Sequence, residues 1–182
     1  MNTTIIGICG PSGSGKSTIA ADLARRLNAD VIHLDCYFKS ELPKMCSPDD
    51  NKYYSDWNSP ESIRADEIVS VLKGIKKKDT AKWVIVEGVL LFCIDELKKM
   101  LDIKIFVHAN IETCLYRRII RNTVLFGQSP EEIGEYYLKC ARHREAEYCL
   151  PFENYADYVI DNDVTYLAKI EDIYGKIQLL KG

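Results

Sequence analysis

The sequence predicts an α/β fold in which five strands form one parallel sheet, and two observations lead to it. Short apolar segments alternate along the chain with longer segments whose apolar residues recur every three to four positions. The first apolar segment, residues 4–9, runs directly into a glycine-rich stretch that a helical pattern follows. Strands separated by helices are typical of a parallel sheet. The chain has 182 residues, enough to bury a core around such a sheet, and we expect a single domain over residues 1–182.

The glycine-rich stretch, residues 10–17, reads Gly-Pro-Ser-Gly-Ser-Gly-Lys-Ser and matches the pattern G-x-x-x-x-G-K-[ST] in full. In such a loop the backbone N–H groups converge on phosphate oxygens, Lys16 neutralises the outer phosphates and the Ser17 hydroxyl can ligate Mg²⁺. A flexible glycine linker is the alternative, but it predicts polar flanks, whereas a strand and a helix pattern flank this loop. We therefore expect a nucleoside triphosphate site at Gly10, Ser12, Gly13, Ser14, Gly15, Lys16, Ser17 and Thr18.

After the loop, the pattern predicts a helix and a second strand. Ile19, Leu23 and Leu27 keep helical spacing, and residues 31–34 are expected to form a short buried strand. From 35 to about 60 the chain is polar, aromatic and interrupted by prolines. We expect an irregular segment there, lying over the edge of the sheet and long enough to be functional.

A further helix is predicted to begin at residues 59–61, Ser-Pro-Glu, with proline at its first position. Lysines 76–78 would end it, and a solvated helix end that complements the dipole is favoured over a binding patch. Its apolar face is expected to comprise Ile63, Ile68, Val71, Leu72 and Ile75. Further strands are expected at 83–88, 103–107 and 158–160, and further helices at 111–121, 131–148 and 165–180.

Charge and composition exclude several classes of protein. Lys and Arg total 24 against 27 Asp and Glu, a formal net charge of −3, so no large basic face for nucleic acid is expected. The sequence shows no leader pattern and no apolar run of about 18 residues, which predicts a soluble, cytoplasmic protein without membrane association. The seven cysteines are scattered and never form a C-x-x-C pair, so neither a disulfide framework nor a zinc site is indicated.

Two carboxylates end predicted strands, Asp35 the second and Glu87 the third. Ligands of open α/β sheets bind beyond the carboxyl ends of the strands, so both carboxylates would lie beside Lys16 and Ser17. A nucleoside triphosphate site needs a carboxylate there to hold Mg²⁺ directly or through water. The alternative for Asp35 is a helix or turn cap.

Three arginines lie on the helical segment after the fourth strand. Arg117 and Arg121 are four residues apart on one face, and Arg118 lies alongside. Guanidinium groups in this arrangement can bridge phosphate oxygens during transfer, whereas the alternative is a solvated helix face. Cations this close repel one another in the absence of an anion, which favours the phosphate clamp.

Other cationic side chains are not assigned to the site. Residues 142–144, Arg-His-Arg, are expected to face solvent or acidic neighbours such as Glu145 and Glu147. His33 and His108 adjoin predicted strands and are interpreted as packing residues. The aromatic side chains of the segment from 35 to 60 leave two interpretations equally open, a pocket that stacks a planar ring and a small satellite core. These side chains are Tyr37, Phe38, Tyr53, Tyr54 and Trp57.

Seven segments, in this order and spacing, resemble a known family over nearly the whole chain. They are residues 5–18, 34–39 (Leu-Asp-Cys-Tyr-Phe-Lys), 56–61 (Asp-Trp-Asn-Ser-Pro-Glu), 84–92 (Val-Ile-Val-Glu-Gly-Val-Leu-Leu-Phe), 105–107, 117–122 and 149–160. The chain resembles the uridine kinase and phosphoribulokinase-like group of P-loop kinases, and the smaller nicotinamide riboside kinases. The resemblance implies a P-loop NTPase three-layer sandwich with a helical lid at about 117–130 and an acceptor-site segment at about 35–60.

The resemblance also implies an activity, transfer of the γ-phosphoryl group from ATP to the 5′-hydroxyl of a ribonucleoside-like substrate. Asp35 matches the family aspartate that acts as general base and helps to place Mg²⁺, and Ser17 and Glu87 match metal-site positions. Lys16 matches the phosphate lysine. The arginines of 117–121 match the lid helix, which closes over the phosphates and excludes water. The catalytic residues implied are Asp35, Lys16, Arg117 and Arg121, with Arg118 among the ATP-binding residues.

Two departures from the family pattern bear on the acceptor. Where these kinases usually carry an aspartate for the ribose hydroxyls, this chain has Asn58, which can hydrogen-bond a diol without charge assistance unless Asp56 takes that role. Gln128 stands where long uridine kinases use an arginine near the substrate. The substrate-binding residues implied are Asp35, Tyr37, Phe38, Asp56, Trp57, Asn58 and Gln128.

Several functions remain open from the sequence. The leading one is a nucleoside kinase of the uridine or cytidine type, and a kinase of nicotinamide riboside or another small metabolite is the alternative within the class. A P-loop switch protein would carry D-x-x-G after the third strand and N-K-x-D for guanine, and the sequence has neither. A regulatory protein that binds nucleotide without catalysis is the alternative from another class. The oligomeric state is left open.

Overall fold

The computed structural model describes residues 3–78, 83–163 and 166–179. The strands are β1 (Thr4–Cys9), β2 (Asp30–His33), β3 (Lys44–Cys46), β4 (Tyr53–Ser55), β5 (Trp83–Glu87), β6 (Ile103–His108) and β7 (Tyr158–Asp161). The α-helices are α1 (Lys16–Leu27), α2 (Ala65–Lys78), α3 (Asp95–Lys98), α4 (Ile111–Phe126), α5 (Pro130–Tyr136), α6 (Arg142–Tyr148) and α7 (Tyr166–Leu179). Short 3₁₀ helices lie at Leu34–Tyr37, Pro60–Ser62 and Leu150–Tyr155, and a π-helical turn, Tyr137–Ala141, joins α5 to α6.

Five strands form a parallel sheet in the order β2-β5-β1-β6-β7. The central strand β1 pairs with β5 and β6, and the register sets Ile8 opposite Glu87. His33, the last residue of β2, also lies opposite Glu87. The carboxyl ends of these strands therefore meet at one edge, where the glycine-rich loop follows β1. The predicted α/β fold with a five-stranded parallel sheet is confirmed.

Helices cover both faces of the sheet, which makes three layers. Successive side chains of a strand point to opposite faces, so Ile5 and Ile6 of β1 belong to different cores. Ile6 packs with Ile19 of α1 and Ile173 of α7 on one face. Ile5 packs with Leu72 of α2 on the other. Burial of apolar side chains on both faces stabilises the sheet and fixes the strand ends that carry the site.

The second strand differs from its prediction. It spans Asp30–His33 at the edge of the sheet, and its residues are partly or fully exposed, so the expected buried strand at 31–34 is wrong in burial. Leu34 is buried, but it begins the 3₁₀ helix Leu34–Tyr37. A short apolar run indicates a strand, but it does not distinguish a strand at the edge of a sheet from one at its centre. Asp35 therefore lies in the first turn of that short helix, directly after the strand.

The segment from 35 to 60 is more regular than predicted. Strands β3 and β4 form an antiparallel pair within it, with Met45 opposite Tyr54. Met45 is buried, whereas Tyr53 is 73% exposed, so the pair has one covered face. Strands of three residues carry too little periodicity to be read from sequence.

Two helix predictions also need correction. Ser59 caps only the 3₁₀ helix Pro60–Ser62, because its hydroxyl accepts a hydrogen bond from the Glu61 N–H at 3.2 Å, and α2 begins later, at Ala65. Ile63 is thus buried outside the helix, and Val71 on the predicted apolar face is 40% exposed. The helix predicted at 131–148 is α5, the π-helical turn and α6. Of the predicted helix 165–180, residues 165 and 180 lie outside the described residues.

Within the described ranges, no helix combines the length and the apolar character that a membrane span requires.

Candidate active site

The glycine-rich loop connects β1 to α1 and is held in shape by glycine and by contacts from other elements. Gly13 and Gly15 have φ angles of 91° and 95°, in the left-handed region that favours glycine. A Cβ atom on Gly13 would collide with the backbone carbonyl of Cys114 on α4. The Asn162 side chain donates a hydrogen bond to the Ser14 carbonyl at 2.6 Å. Side chains are therefore excluded where the backbone of the loop turns.

Lys16 begins α1 and is only 6% exposed. Its Nζ donates a hydrogen bond to the Pro11 carbonyl at 3.4 Å, so the ammonium group lies across the loop. The Ser14 hydroxyl is buried and has no hydrogen-bond partner among the described residues. An ammonium group and an unused hydroxyl inside a loop of backbone donors form a site suited to a phosphate.

Glu87 lies at the end of β5, is 4% exposed and contacts both Ser17 and His33. Its Oε1 accepts a hydrogen bond from the Ser17 hydroxyl at 3.1 Å and lies 2.7 Å from Nδ1 of His33. His33, expected to be a packing residue, is therefore a partner of this carboxylate. Thr18, the next residue of α1, is exposed.

The oxygens of Ser17 and Glu87 are a donor set that suits Mg²⁺, which takes one or two carboxylates and fills its other positions with water and phosphate oxygens. Asp35 lies exposed on the neighbouring 3₁₀ helix. In the part of the chain that the structure describes, no group of three or more His, Cys, Asp or Glu side chains forms a metal cluster. Ser17 and Glu87 thus fit a cation that a bound phosphate would hold jointly with the protein.

The three arginines of α4 each make a different contact, and that of Arg121 is with the loop itself. Arg121 Nη2 donates to the Ser12 hydroxyl at 3.2 Å, and Arg117 Nη2 donates to the Asn162 carbonyl at 3.3 Å. Arg118 Nη1 lies 4.0 Å from a carboxylate oxygen of Glu145. Nitrogens of two guanidinium groups are buried and without a hydrogen-bond partner among the described residues, namely Nη1 of Arg117 and Nε and Nη1 of Arg118.

The electrostatics of these arginines agree with the contacts. Burial and the nearby Arg118 lower the pKa of Arg121, while Asp35 and Glu87 act in the opposite direction. Buried cations whose donors lack partners are costly unless an anion joins them. The arrangement is therefore suited to an anion with several oxygens, placed between α4 and the loop.

A cavity of about 660 Å³ opens between the loop, α4 and the segment from 35 to 60. Its charged lining residues, among those described, are Asp35, Arg118 and Arg121. Eight of the predicted site residues line it: Ser12, Asp35, Phe38, Trp57, Asn58, Arg118, Arg121 and Gln128. The remaining lining is mainly apolar and includes Leu34, Ile63, Val89, Leu90, Phe126 and Ile133.

Two predicted substrate-binding residues are not part of this lining. Asp56 is fully buried, and its carboxylate accepts hydrogen bonds from Arg144 Nε at 2.7 Å and from the Asn58 N–H at 3.1 Å. Its oxygens are thus engaged within the protein, away from the cavity. Tyr37 packs instead beneath the guanidinium of Arg64, 5.8 Å from its ring centroid.

The aromatic residues of the segment divide between the two interpretations that the sequence left open. Phe38 and Trp57 form an edge-to-face pair, with centroids 5.0 Å apart and planes at 87°, and both line the cavity. Trp57 remains 46% exposed, so part of its ring is available to a ligand. Tyr54 instead donates a hydrogen bond to Asp50 at 2.9 Å, which raises the pKa of Tyr54 to about 12.

Sequence reasoning missed three residues of the site: Asn122, Tyr136 and Glu145. Asn122 is buried, accepts a hydrogen bond from Arg121 Nε at 3.1 Å and donates one to Gln128 at 2.9 Å. Tyr136 lines the cavity at the end of α5. The only signal in the sequence for Asn122 was its place directly after Arg121.

Glu145 was expected as an acidic neighbour of the cations at residues 142–144, but it contacts the glycine-rich loop instead. It is 6% exposed and accepts a hydrogen bond from the Ser12 N–H at 3.3 Å. Burial raises the pKa of Glu145, while Arg118 lowers it. The expected acidic neighbour Glu147 does pair with Arg144, at 2.8 Å. The π-helical turn before α6 alters which residues of the helix face the loop, and periodicity cannot anticipate this.

A glycine-rich loop between a central parallel strand and its helix, closed by lysine and serine, defines a P-loop α/β protein, and the fold is that of a P-loop kinase. A family model described as an AAA domain matches residues 6–123, more than half of the chain. The chain belongs to this family.

Relatives with assigned names match over nearly the whole chain. Uridine kinase of Proteus mirabilis (strain HI4320) is 28% identical over 203 aligned positions, which cover 96% of this chain and 94% of that protein. Uridine kinase of Clostridium tetani is 26% identical over 199 positions, with the same coverage of 96% and 94%. The resemblance predicted from the sequence is confirmed by these matches.

Solved structures of P-loop kinases share the fold. A sugar kinase from Janibacter sp. HTCC2649 superposes with a TM-score of 0.61 at 15% identity, covering 97% of this chain and 95% of that one. Shikimate kinase from Bacteroides thetaiotaomicron superposes with a TM-score of 0.55 at 20% identity, covering 97% of both chains.

Proposed function

We propose that this protein is an ATP-dependent kinase that transfers the γ-phosphoryl group to the 5′-hydroxyl of a nucleoside of the uridine or cytidine type. One observation carries the proposal: a single cavity brings together a carboxylate, two guanidinium groups of α4, the P-loop serine Ser12 and a half-exposed tryptophan. A kinase needs an accepting carboxylate and phosphate-binding cations around one space, because the acceptor hydroxyl must meet the terminal phosphate in line, and the tryptophan offers a surface for the acceptor. The names of the relatives support the same class of acceptor.

On the donor side, we assign the phosphates of ATP to the loop, to Lys16 and to the three arginines of α4. The unpartnered nitrogens of Arg117 and Arg118 would find acceptors in phosphate oxygens, and Arg121 already reaches Ser12. Ser17 and Glu87, with Asp35, would hold Mg²⁺. When bound, the cation neutralises phosphate charge and orients the oxygens. Positioning and charge stabilisation then supply most of the catalysis.

On the acceptor side, Asp35 would take the proton of the attacking hydroxyl. Among the charged residues that line the cavity, Asp35 can accept a proton, whereas the two others, Arg118 and Arg121, cannot. Asn58 and Gln128 would bind the acceptor through neutral amides, and Trp57 would stack its ring. Asp56 supports Asn58 from behind through the Asn58 N–H instead of contacting the ligand.

Residues of about 117–130 would act as the lid over the phosphates, and the whole chain, 1–182, as one kinase domain. Val124, Leu125 and Phe126 are each at least 65% exposed at the end of α4, although Phe126 also lines the cavity. Closure of this end over a ligand would cover their apolar surface and exclude water from the reacting groups.

A second candidate acceptor is nicotinamide riboside. Its pyridinium ring carries a positive charge, and the face of Trp57 can bind such a cation more strongly than a neutral ring. The amides of Asn58 and Gln128 are compatible with either ribose.

A panel of acceptors tests the proposal. Purified protein with ATP and Mg²⁺ is assayed for ADP release with uridine, cytidine, adenosine, nicotinamide riboside, shikimate and pantothenate, with an Asp35→Asn sample as the control for contaminating kinases. We expect turnover of a ribonucleoside, with a kcat/KM at least about a hundredfold above that for the two carboxylic acids. Preference for nicotinamide riboside would select the second candidate. Binding of MgATP without turnover of any acceptor would overturn the proposal in favour of a non-catalytic nucleotide-binding protein.

A further inference from the structure

Tyr136 occupies a position between the two halves of the cavity. It ends α5, where the helix passes into the π-helical turn Tyr137–Ala141. Its hydroxyl and its ring contact different elements, one belonging to the segment from 35 to 60 and the other to α4. Its side chain is part of the cavity wall.

The hydroxyl end is fixed to the acceptor segment by the protein backbone. It donates a hydrogen bond to the Ser55 carbonyl at 3.0 Å and accepts one from the Trp57 N–H at 3.4 Å. Burial raises the pKa of the Tyr136 hydroxyl, which therefore stays protonated and able to donate. These two bonds lie on either side of Asp56 in the sequence. They orient the segment after β4, which carries Trp57 and Asn58 into the cavity.

The aromatic ring of Tyr136 packs against an arginine. The Arg118 guanidinium lies over the Tyr136 ring, 5.5 Å from its centroid. Its other close partner is Glu145, whose carboxylate is 4.0 Å away and thus beyond hydrogen-bond distance. The Arg118 side chain is only 12% exposed, and its Nε and Nη1 have no hydrogen-bond partner within the described ranges. An aromatic face holds a guanidinium in a fixed plane without occupying its N–H donors.

We propose that Tyr136 is a positioning residue with two separable tasks: its ring holds Arg118 ready for the phosphates of the donor, and its hydroxyl holds the Trp57 segment ready for the acceptor. The second task rests on the function proposed above, whereas the first depends only on nucleotide binding. Because one rigid side chain performs both tasks, the length of a tyrosine sets the distance between Arg118 and the segment that carries Trp57.

Two substitutions separate the tasks. Tyr136→Phe keeps the ring beneath Arg118 and removes the hydroxyl, whereas Tyr136→Leu removes both. Tyr155→Phe is the matched control, since Tyr155 is 57% exposed and lies outside the cavity lining. Thermal unfolding of each variant confirms that it is folded before the assays.

The donor task is measured by calorimetric titration with MgATP, without any acceptor. We expect the Kd of Tyr136→Phe to stay within about twofold of the unmodified protein, and that of Tyr136→Leu to rise about fivefold, the range of a desolvated cation–π contact. In an Arg118→Ala background, Tyr136→Leu should change the Kd no further. Equal weakening by Phe and Leu, or an undiminished effect of Leu without Arg118, would overturn the donor task.

The acceptor task is measured by iodide quenching of tryptophan fluorescence, again without acceptor. The chain has two tryptophans, and Trp83 is only 3% exposed, so iodide reports on Trp57. We expect Tyr136→Phe to raise the quenching constant about twofold, and to raise the KM of the acceptor identified in the panel about fivefold with little change in kcat, as loss of a hydrogen bond predicts. Unchanged quenching in Tyr136→Phe would overturn this task. If no acceptor is phosphorylated, the proposed function fails, while calorimetry and quenching still decide the role of Tyr136.

Discussion

The Glu145 carboxylate accepts a hydrogen bond from the Ser12 backbone N–H at 3.3 Å, so an anion contacts the loop where a phosphate would bind. Two consequences follow for a nucleotide. The carboxylate repels phosphate charge, and it draws Arg118 toward itself. We therefore expect Glu145→Gln to bind MgATP more tightly, by roughly fivefold, or about 1 kcal/mol. The amide oxygen of glutamine can still accept the Ser12 hydrogen bond, so the loop keeps its shape. Calorimetric titration measures the change.

Glu147→Gln is the control for that measurement. Glu147 lies on the same helix, is 51% exposed and pairs with Arg144 rather than with the loop. Its loss should leave the MgATP affinity unchanged. Weaker binding by Glu145→Gln would show instead that the negative charge is needed to place Arg118.

The same carboxylate makes the stability of the protein depend on pH. Burial raises the pKa of Glu145 above its unfolded value, so the folded state favours the protonated form, and this contribution is lost as the pH rises through the folded pKa. The neighbouring cations Arg118 and Lys16 oppose the shift without reversing it. We expect Glu145→Gln to raise the free energy of unfolding at pH values above the folded-state pKa of Glu145, where the native carboxylate loses the benefit of the buried proton. The gain should shrink as the pH falls from the raised folded pKa toward the usual pKa of a glutamate, and it should vanish below that value.

Denaturant unfolding of both proteins at several pH values between about 4 and 8 measures this difference. A gain that is the same at every pH would mean that the glutamate does not titrate in this range. Glu147→Gln again serves as the comparison, because the pKa of Glu147 is lowered by its contacts with Tyr148 and Arg144.

Asp35 carries the chemical step in the proposed function. Asp35→Asn should lower kcat by a factor of about a hundred or more, since general-base assistance is lost. The Kd for MgATP should change much less, because Ser17 and Glu87 still hold the cation and the asparagine keeps a side-chain oxygen. Single-turnover assays with the acceptor found in the panel, beside calorimetry with MgATP, separate the two quantities. Glu41→Gln, an exposed carboxylate in the same segment, is the matched control. Near-normal turnover by Asp35→Asn would contradict the assignment of the base.

The fold could be predicted from the sequence wherever burial leaves a strong periodic pattern. Strand β1 and helix α1 were predicted at the right residues because both are covered by the core and flank an unambiguous loop. The edge strand β2 and the short pair β3 and β4 were not, since partial exposure and three-residue length erase the pattern. The late start of α2 follows from the bridge between Phe38 and Ile63, a tertiary contact that overrides the helix-start signal at Ser59.

The residues of the site likewise divide into those that the sequence could predict and those that it could not. Residues fixed by the loop and by strand ends, such as Ser17 and Glu87, could be anticipated because the topology of a parallel sheet brings strand ends together. Glu145 and Tyr136 could not, since each lies in a long helical pattern where only the packing of the π-helical turn decides which side faces the cavity. Asp56 was expected at the ligand because of its neighbour, yet its pairing with Arg144 depends on a helix 88 residues away in sequence.

The glycine positions of the chain offer a test of the loop itself. Gly13 has a φ of 91°, and a Cβ there would meet the Cys114 carbonyl, so Gly13→Ala strains the backbone and pushes the loop away from α4. We expect a loss of about 1–3 kcal/mol in unfolding free energy and a clearly weaker affinity for MgATP. Gly74→Ala is the matched control, because Gly74 lies within α2 and its Cβ would contact nothing within 4 Å. That substitution should stabilise the protein by about 0.5–1 kcal/mol and leave nucleotide binding intact. Denaturant unfolding and calorimetry on both variants measure these effects, and equal behaviour of the two alanines would contradict the loop geometry described.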